Sequence, residues 1–389
     1  MRSRSISSTR LKAMTEANRI PFLDLGGINA RFQSEIESAI AEVLASNRYL
    51  LGDSNARFAQ EFAAWTGASF CVPLANGLDA LRLTLKAWMT LGRVVPGDEV
   101  IVPANSFIAS ALAVSDSNLT LRFADVDAET LCVSRDSVSE CITDRTRVVM
   151  PVHLYGRVSD MVSLRSLCSD AGLLMLEDAA QAHGARLDGA SAGTFGDAGA
   201  FSFYPSKNLG ALGDAGCVIT NDAELAERVR MIGNYGSLRK YEHEELGVNS
   251  RMDEIQAAIL RLKLGHLDAD NELRRRIARI YRTQIAHPEV ILPSDPADSA
   301  SHVWHLYVVR VRERNSLAAH LRAQGIETMV HYPTAIHRQQ PYRAAFASTH
   351  LPFAERLQDE VLSLPMSPVM TESQAQRVAY AVNSWPRRS

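Results

Sequence analysis

The run FSFYPSKNLGALGDAG, residues 201–216, carries a single lysine, Lys207, between an apolar stretch and a turn rich in glycine. To its left, Gly199 to Phe203 is small and apolar, like a strand entering a core. To its right, Gly210, Gly213 and Gly216 let the backbone turn sharply or come close to a ligand. Two readings fit a lysine at such a junction. One is an exposed, solvated loop residue. The other is a desolvated amine that attacks a carbonyl.

Two other stretches bear on the choice. LANGLDALRLTLKAW, 74–88, passes from an apolar strand end through Asn76-Gly77 into an amphipathic helix. The first-turn N–H groups of a helix have no partner within it and the dipole there is positive, so an anion fits. An ordinary helix cap is the alternative. LEDAAQAHGA, 176–185, puts Glu177 and Asp178 at the end of an apolar run, where open α/β sheets hold their ligands. Strand alternation sends the two acids to opposite faces, so only one of them faces a site. Acids at strand ends also serve as plain caps. Together, an amine for a Schiff base, a carboxylate to keep a ring nitrogen protonated and a cup for phosphate are what pyridoxal phosphate requires. No GxGxxG follows a strand and no GxxxxGK[ST] occurs, which leaves hydride transfer and nucleoside-triphosphate hydrolysis without their main support.

These groups need a frame. Between residues 55 and 225, strand-like runs alternate with helical patterns: 99–105, 120–127, 147–156, 173–180, 200–205 and 217–220 read as strands. Met161, Leu164, Leu167 and Cys168 share a helical face closed by Gly172, and Leu78, Leu81, Leu85 and Trp88 form a second stripe. The pattern predicts a mostly parallel sheet covered by helices. A long helix is predicted from Arg251 to about Ala286, ended by Pro288. HVWHLYVVRV (302–311) and TMVHY (328–332) read as strands, with a helix over 317–325 between them. The expected division is a tail at 1–13, a large domain at 14–262 and a smaller α+β domain at 263–389.

Composition narrows the class. A net charge of −3, with scattered basic residues, leaves no nucleic-acid footprint, and no apolar run approaches the ~20 residues that span a bilayer. The five cysteines are odd in number and never form CxxC, which fits a reducing cytoplasm and neither a disulfide framework nor a zinc site. His302 and His305 lie three apart in a strand-like run and face opposite ways, so no metal site is expected there.

The chain resembles the DegT/DnrJ/EryC1/StrS family of sugar aminotransferases. The resemblance runs from IPFLDL (20–25) to LSLPMSP (362–368), through NRYLLGD, ANGLDAL, VPANSFIAS, PVHLYG, EDAAQAHGA, FSFYPSKNLGALGDAG, NYGS, GVNSRMDEIQAA and HYP in order. It implies the fold-type I architecture: a large domain with a mostly parallel seven-stranded sheet, and a smaller C-terminal α+β domain. It implies that Lys207 forms the internal Schiff base with pyridoxal 5'-phosphate and shuttles the proton. Asp178 would pair with the pyridine nitrogen, Gln181 would lie near the ring hydroxyl and Phe107 would stack on the ring. Ser202 and the backbone N–H groups of Gly77 and Leu78 would hold the phosphate. Many relatives have Thr at the position of Leu78, so one hydroxyl contact is lost. Asn249 would reach the phosphate of the other subunit, making the unit a homodimer with shared sites. Judged alone, Phe107 and Tyr204 are ordinary core aromatics and Ser202 an ordinary strand serine.

The same resemblance implies the reaction. Dehydratase relatives carry histidine at the lysine position, so Lys207 points to transamination. L-glutamate would supply the amine and a nucleotide-linked keto sugar would receive it. The quoted strings look most like the subgroup acting on dTDP-3-keto-6-deoxyhexoses, with a 4-keto sugar on UDP, GDP or dTDP as the alternative. Lys240, Arg251, His331, Tyr332 and Tyr204 are the expected substrate contacts, with surface solvation as the alternative for Lys240 and Arg251. A protein that binds the coenzyme without turnover, as a regulator, is the reading from another class.

Overall fold

A computed structural model describes residues 19–239 and 241–387, so the expected tail at 1–13 and Lys240 lie outside the described residues. Nine strands precede the C-terminal part: β1 (Phe70–Leu74), β2 (Glu99–Pro103), β3 (Thr120–Ala124), β4 (Thr146–Val149), β5 (Leu174–Asp178), the short pair β6 (Arg186–Leu187) and β7 (Ala190–Ser191), β8 (Ala198–Ser202) and β9 (Gly216–Thr220). Seven of them form one sheet in the order β1-β9-β8-β5-β4-β2-β3. Every pairing from β8 to β3 is parallel, and β9 alone runs against its neighbours β1 and β8.

Period-two alternation makes this a three-layer structure. Val100, Val102, Val148, Leu176 and Val218 pack on one face with the helix Gly77–Thr90, where Leu81, Leu85 and Trp88 are buried. Ile101, Val149 and Met175 point the other way, onto Met161, Leu164, Leu167 and Cys168 of the helix Met161–Ala171. That helix ends on Gly172 at φ +64°, the left-handed residue a C-cap favours. Burying both faces is what lets the central strands be almost wholly apolar.

The C-terminal part departs from the sequence reading in three places. The long predicted helix is two, Glu254–Leu264 and Leu267–Gln284, parted at Gly265, a poor helix former. Only Tyr307–Arg310 of the 302–311 run is a strand, β10, paired antiparallel with β11 (Val361–Leu364). The residues before β10 bind the turn Leu154–Gly156 that follows β4 instead: Val303 N–H donates to Gly156 O, Leu306 N–H to Tyr155 O, and Trp304 sits at φ +47°. TMVHY keeps a single bridge, Met329 to Ser363. Ile20 packs into the C-terminal core with Tyr281, Tyr307 and Val309, so the first described residues join the last part of the chain.

Candidate active site

The C-terminal ends of β5 and β8 and the start of the helix Gly77–Thr90 border one cavity of about 610 Å³. Gly77, Leu78, Phe107, Asp178, Gln181, Ser202, Tyr204, Lys207, His331 and Tyr332 all line it. Asp178 and Ser202 belong to the face that carries Leu176 and Ala200, the side of the Gly77 helix. Glu177 points to the other face. It is fully buried and accepts from His153 Nε2 (2.8 Å) and from the N–H groups of Gly193, Phe195 and Gly196 (2.7 Å each). One acid of the pair is thus a structural staple and the other reaches the cavity.

Asp178 is held on both oxygens. Ser110 Oγ donates to Oδ2 at 2.8 Å and the Ala180 N–H to Oδ1 at 3.2 Å. Burial pushes this carboxyl up, while the Ser110 and Ala180 bonds and the Lys207 charge oppose the shift. Lys207 answers in kind: burial lowers its amine to about 8, and Asp178 holds it from falling further. The two groups therefore share one buried electrostatic environment.

Gln181 is locked at both ends, its Oε1 accepting from the Tyr155 N–H at 2.7 Å and its Nε2 donating to Tyr332 Oη at 3.1 Å. Phe107 is 55% exposed and lies 5.6 Å from the Tyr332 ring, and Tyr204 is 53% exposed. Neither is a core aromatic. His331 Nδ1 meets Ser363 Oγ at 2.8 Å, and burial with the nearby Lys207 charge lowers its ring to about 4, so it is neutral near pH 7. Burial raises the Tyr332 phenol to about 12, so it keeps its proton.

The phosphate device has a steric signature. A Cβ on Gly77 would stand 2.5 Å from Ser202 Cβ, and one on Gly216 only 2.3 Å from the Asn76 carbonyl carbon. Strand end and helix start are thus pressed together as only glycine permits. Asn76 caps the helix by accepting from the Asp79 N–H at 2.8 Å. Asp79, an acid that would repel an anion, is engaged by Arg82 at 2.6 Å. Free N–H groups, the Ser202 hydroxyl and a neutralised first turn fit a phosphate. A buried carboxylate and a desolvated amine beside them complete the donor set for pyridoxal 5'-phosphate.

Two expected residues are not brought in. Arg251 donates to Asn234 Oδ1 at 3.2 Å and lies over the Tyr235 ring at 5.4 Å, outside this cavity. Asn249 is exposed and bridges to Asn234, away from its own chain's cavity. Sequence reasoning missed Ser110, Ala180, Asp214, Met329 and His305. Ser110 lies in the first turn of the helix Ala109–Ser115, and no local spacing pointed it to Asp178. His305 carried no such signal. Among the described residues no group of three or more His, Cys, Asp or Glu is arranged to hold a metal ion, and no helix is long and apolar enough to cross a membrane.

A helix-covered, mostly parallel sheet with this lysine, carboxylate and phosphate cradle at its edge defines the class as a pyridoxal-phosphate-dependent aminotransferase fold. The chain belongs to the DegT/DnrJ/EryC1/StrS aminotransferase family, whose model matches residues 31–383. It is 48% identical over 366 residues to the dTDP-3-amino-3,6-dideoxy-alpha-D-galactopyranose transaminase of Aneurinibacillus thermoaerophilus, covering 94% of this chain and 99% of that one. The dTDP-3-amino-3,4,6-trideoxy-alpha-D-glucose transaminase of Streptomyces venezuelae is 46% identical over 97% of this chain and 99% of its own. The crystal structure of S. venezuelae DesV in complex with a ketimine intermediate superposes with a TM-score of 0.91 at 46% identity, covering 95% and 99% of the two chains. The protein is a pyridoxal-phosphate-dependent sugar aminotransferase.

Proposed function

We propose that the chain transfers the amino group of L-glutamate to a dTDP-3-keto-6-deoxyhexose, giving a dTDP-3-amino-3,6-dideoxyhexose. The observation that carries the reading is the electrostatic pairing of Lys207 with Asp178 in one buried cavity. Relatives that act on dTDP-3-amino sugars, at 48% and 46% identity, support the choice of substrate. So does the cavity wall. Leu81, Met329 and Phe107 offer apolar surface suited to a C6 methyl, and among the described lining residues Lys207 is the only lysine or arginine.

Bound pyridoxal phosphate supplies an electrophilic carbon and a ring that accepts carbanion electrons. The side chains do the rest. Asp178, aligned by Ser110, would keep the ring nitrogen protonated. Gly77, Leu78 and Ser202 would bind the phosphate. Phe107 and Ala180, both in the cavity wall, would pack against the ring. Lys207, with an amine titrating near 8, would carry a proton between the reacting carbons without losing it to bulk water. Gln181 and Tyr332 would orient the ring hydroxyl and the sugar.

A diphosphate needs more positive charge than this cavity offers, which supports a shared site. Tyr49, Leu50, Leu51, Leu212, Tyr235, Leu238 and Leu246 are exposed apolar side chains, the kind of surface a partner chain can cover. We take this surface as the homodimer contact, with Asn249 delivered to the partner's phosphate. Purified protein is expected to be yellow, to lose that colour with glutamate and to regain it with the keto sugar. NMR location of the new amine across dTDP- and UDP-keto sugars tests the regiochemistry. An amine at C4, or colour unmoved by glutamate, would overturn the reading.

A further inference from the structure

His302 and His305 are three positions apart, yet the fold gives them different surroundings. His302 is buried, stacks on Trp304 with ring centroids 3.8 Å apart, and accepts from the Trp304 N–H at 3.0 Å. His305 lines the cavity that holds Lys207.

The hydrogen bonds behind His305 fix which of its nitrogens bears the proton. Backbone carbonyls can only accept. Asn271 Nδ2 donates to the His183 carbonyl at 2.9 Å, which leaves Asn271 Oδ1 as an acceptor. Asn208 Nδ2 donates to that oxygen at 2.9 Å and to the Val303 carbonyl at 3.1 Å. Asn208 must therefore turn its Oδ1 to His305, where it lies 3.0 Å from Nδ1. An amide oxygen cannot donate, so Nδ1 carries the hydrogen and Nε2 of the neutral ring is a bare acceptor. No described residue occupies Nε2. Burial, with the charges of Lys207 and Arg274 adding to it, presses the ring well below its ordinary range. His305 is then far less basic than Lys207, and a proton shared between them stays on the lysine.

We propose that His305 is a positioning residue for Lys207, its bare Nε2 accepting a hydrogen bond from Lys207 Nζ once glutamate has taken the bound coenzyme to its pyridoxamine form and released that amine. The inference rests on Lys207 being the coenzyme-binding lysine. Its physical sense is entropic. A freed lysine regains many rotamers and is drawn toward Asp178, yet it must return to one place in each half-reaction. Asn208, the next residue in the chain, ties the docking group to the lysine's own backbone. The whole relay is anchored on two main-chain carbonyls.

The test uses the full-length holoenzyme, converted by glutamate to its pyridoxamine form so that Lys207 is free. Nitrogen-15 spectra of histidine-labelled protein are expected to show His305 protonated at Nδ1 and bare at Nε2. His305→Asn keeps a donor toward Asn208 but removes the ε acceptor, whereas His305→Gln restores an acceptor at the ε position. Carbamylation of Lys207 against pH, read by peptide mass, is expected to show a lower titration midpoint in His305→Asn, because the ammonium loses its acceptor. The glutamate half-reaction should slow about tenfold or more in His305→Asn and recover to within about threefold in His305→Gln. A proton on Nε2 in the wild type, equal impairment of the two variants, or an unmoved midpoint in His305→Asn would overturn the proposal. The spectra need no variant, so a variant that fails to fold does not remove the test. Borohydride trapping of the coenzyme on wild-type Lys207 checks the underlying reading separately.

Discussion

Two regions meet at the cavity and are built on opposite principles. The edge of the central sheet, from Asp178 and Ser202 to the Gly77 helix, positions its groups through main-chain geometry: strand alternation, a helix start and glycines that permit close approach. The segment from 303 to 332 has almost no regular structure at the cavity. It is tied down by single bonds to distant residues: Tyr155 Oη to the His331 carbonyl, Gln181 to Tyr332, Asn208 to His305. The difference teaches a division of labour. On the proposed function, the sheet edge would hold what every turnover needs, while the cross-linked segment would decide who reaches it and how the lysine is held.

The comparison is most exposed to failure at the sheet edge. Lys207→Ala is expected to lower transamination by about 10³-fold or more and to abolish borohydride trapping, with the fold intact by circular dichroism. Substituting the two neighbouring acids should separate chemistry from stability. Asp178→Asn should cost activity by about 10²-fold or more while leaving the urea midpoint nearly unchanged. Glu177→Gln removes an anion that accepts four hydrogen bonds, and should destabilise the fold by about 3 kcal/mol. If the urea midpoint instead falls in Asp178→Asn and holds in Glu177→Gln, the face assignments are reversed.

Smaller effects sharpen the contrast. Gly77→Ala forces a methyl to within 2.5 Å of Ser202 Cβ and is expected to weaken coenzyme retention on dialysis, with little change in the rate of molecules that stay loaded. Tyr332→Ala should raise the sugar-nucleotide KM several-fold, about 1 kcal/mol in binding, and leave the glutamate KM almost unaltered. Equal changes in both constants would place Tyr332 with the sheet-edge group. The pH profile follows from the lysine. Its folded amine sits near 8, below the ordinary lysine range, so reactivity of the free amine should rise through pH 8 as the ammonium loses its proton. Asp178→Asn removes the charge that favours the ammonium and should move that midpoint downward.

Much of the sheet edge was legible in the sequence. Alternation alone assigned Glu177 and Asp178 to opposite faces, and an Asn-Gly before an apolar stripe marked the helix start. Three of the seven sheet strands, β2, β3 and β5, lie within predicted runs, β4, β8 and β9 overlap theirs, and β1 falls where no strand run was predicted. The residue periods there reflect burial on both sides, a strong and local signal. The helix break at Gly265 and the loss of strand at 302–306 were not legible. Each is decided by partners more than a hundred residues away or by a single weak residue: Val303 and Leu306 give their N–H groups to Gly156 and Tyr155. Ser110 reached Asp178 from an element whose packing angle no local pattern encodes.

From its own residue order, then, this chain marked the candidate groups, Lys207, Asp178 and the helix start after Asn76-Gly77, because strand and helix periods are short-range properties of covalent neighbours. The three-dimensional fold alone decided the tautomer of His305, the lock on Gln181 and the exclusion of Arg251 from its own cavity. Those depend on which carbonyls and amides meet across long loops, and a hydrogen bond has no memory of separation along the chain.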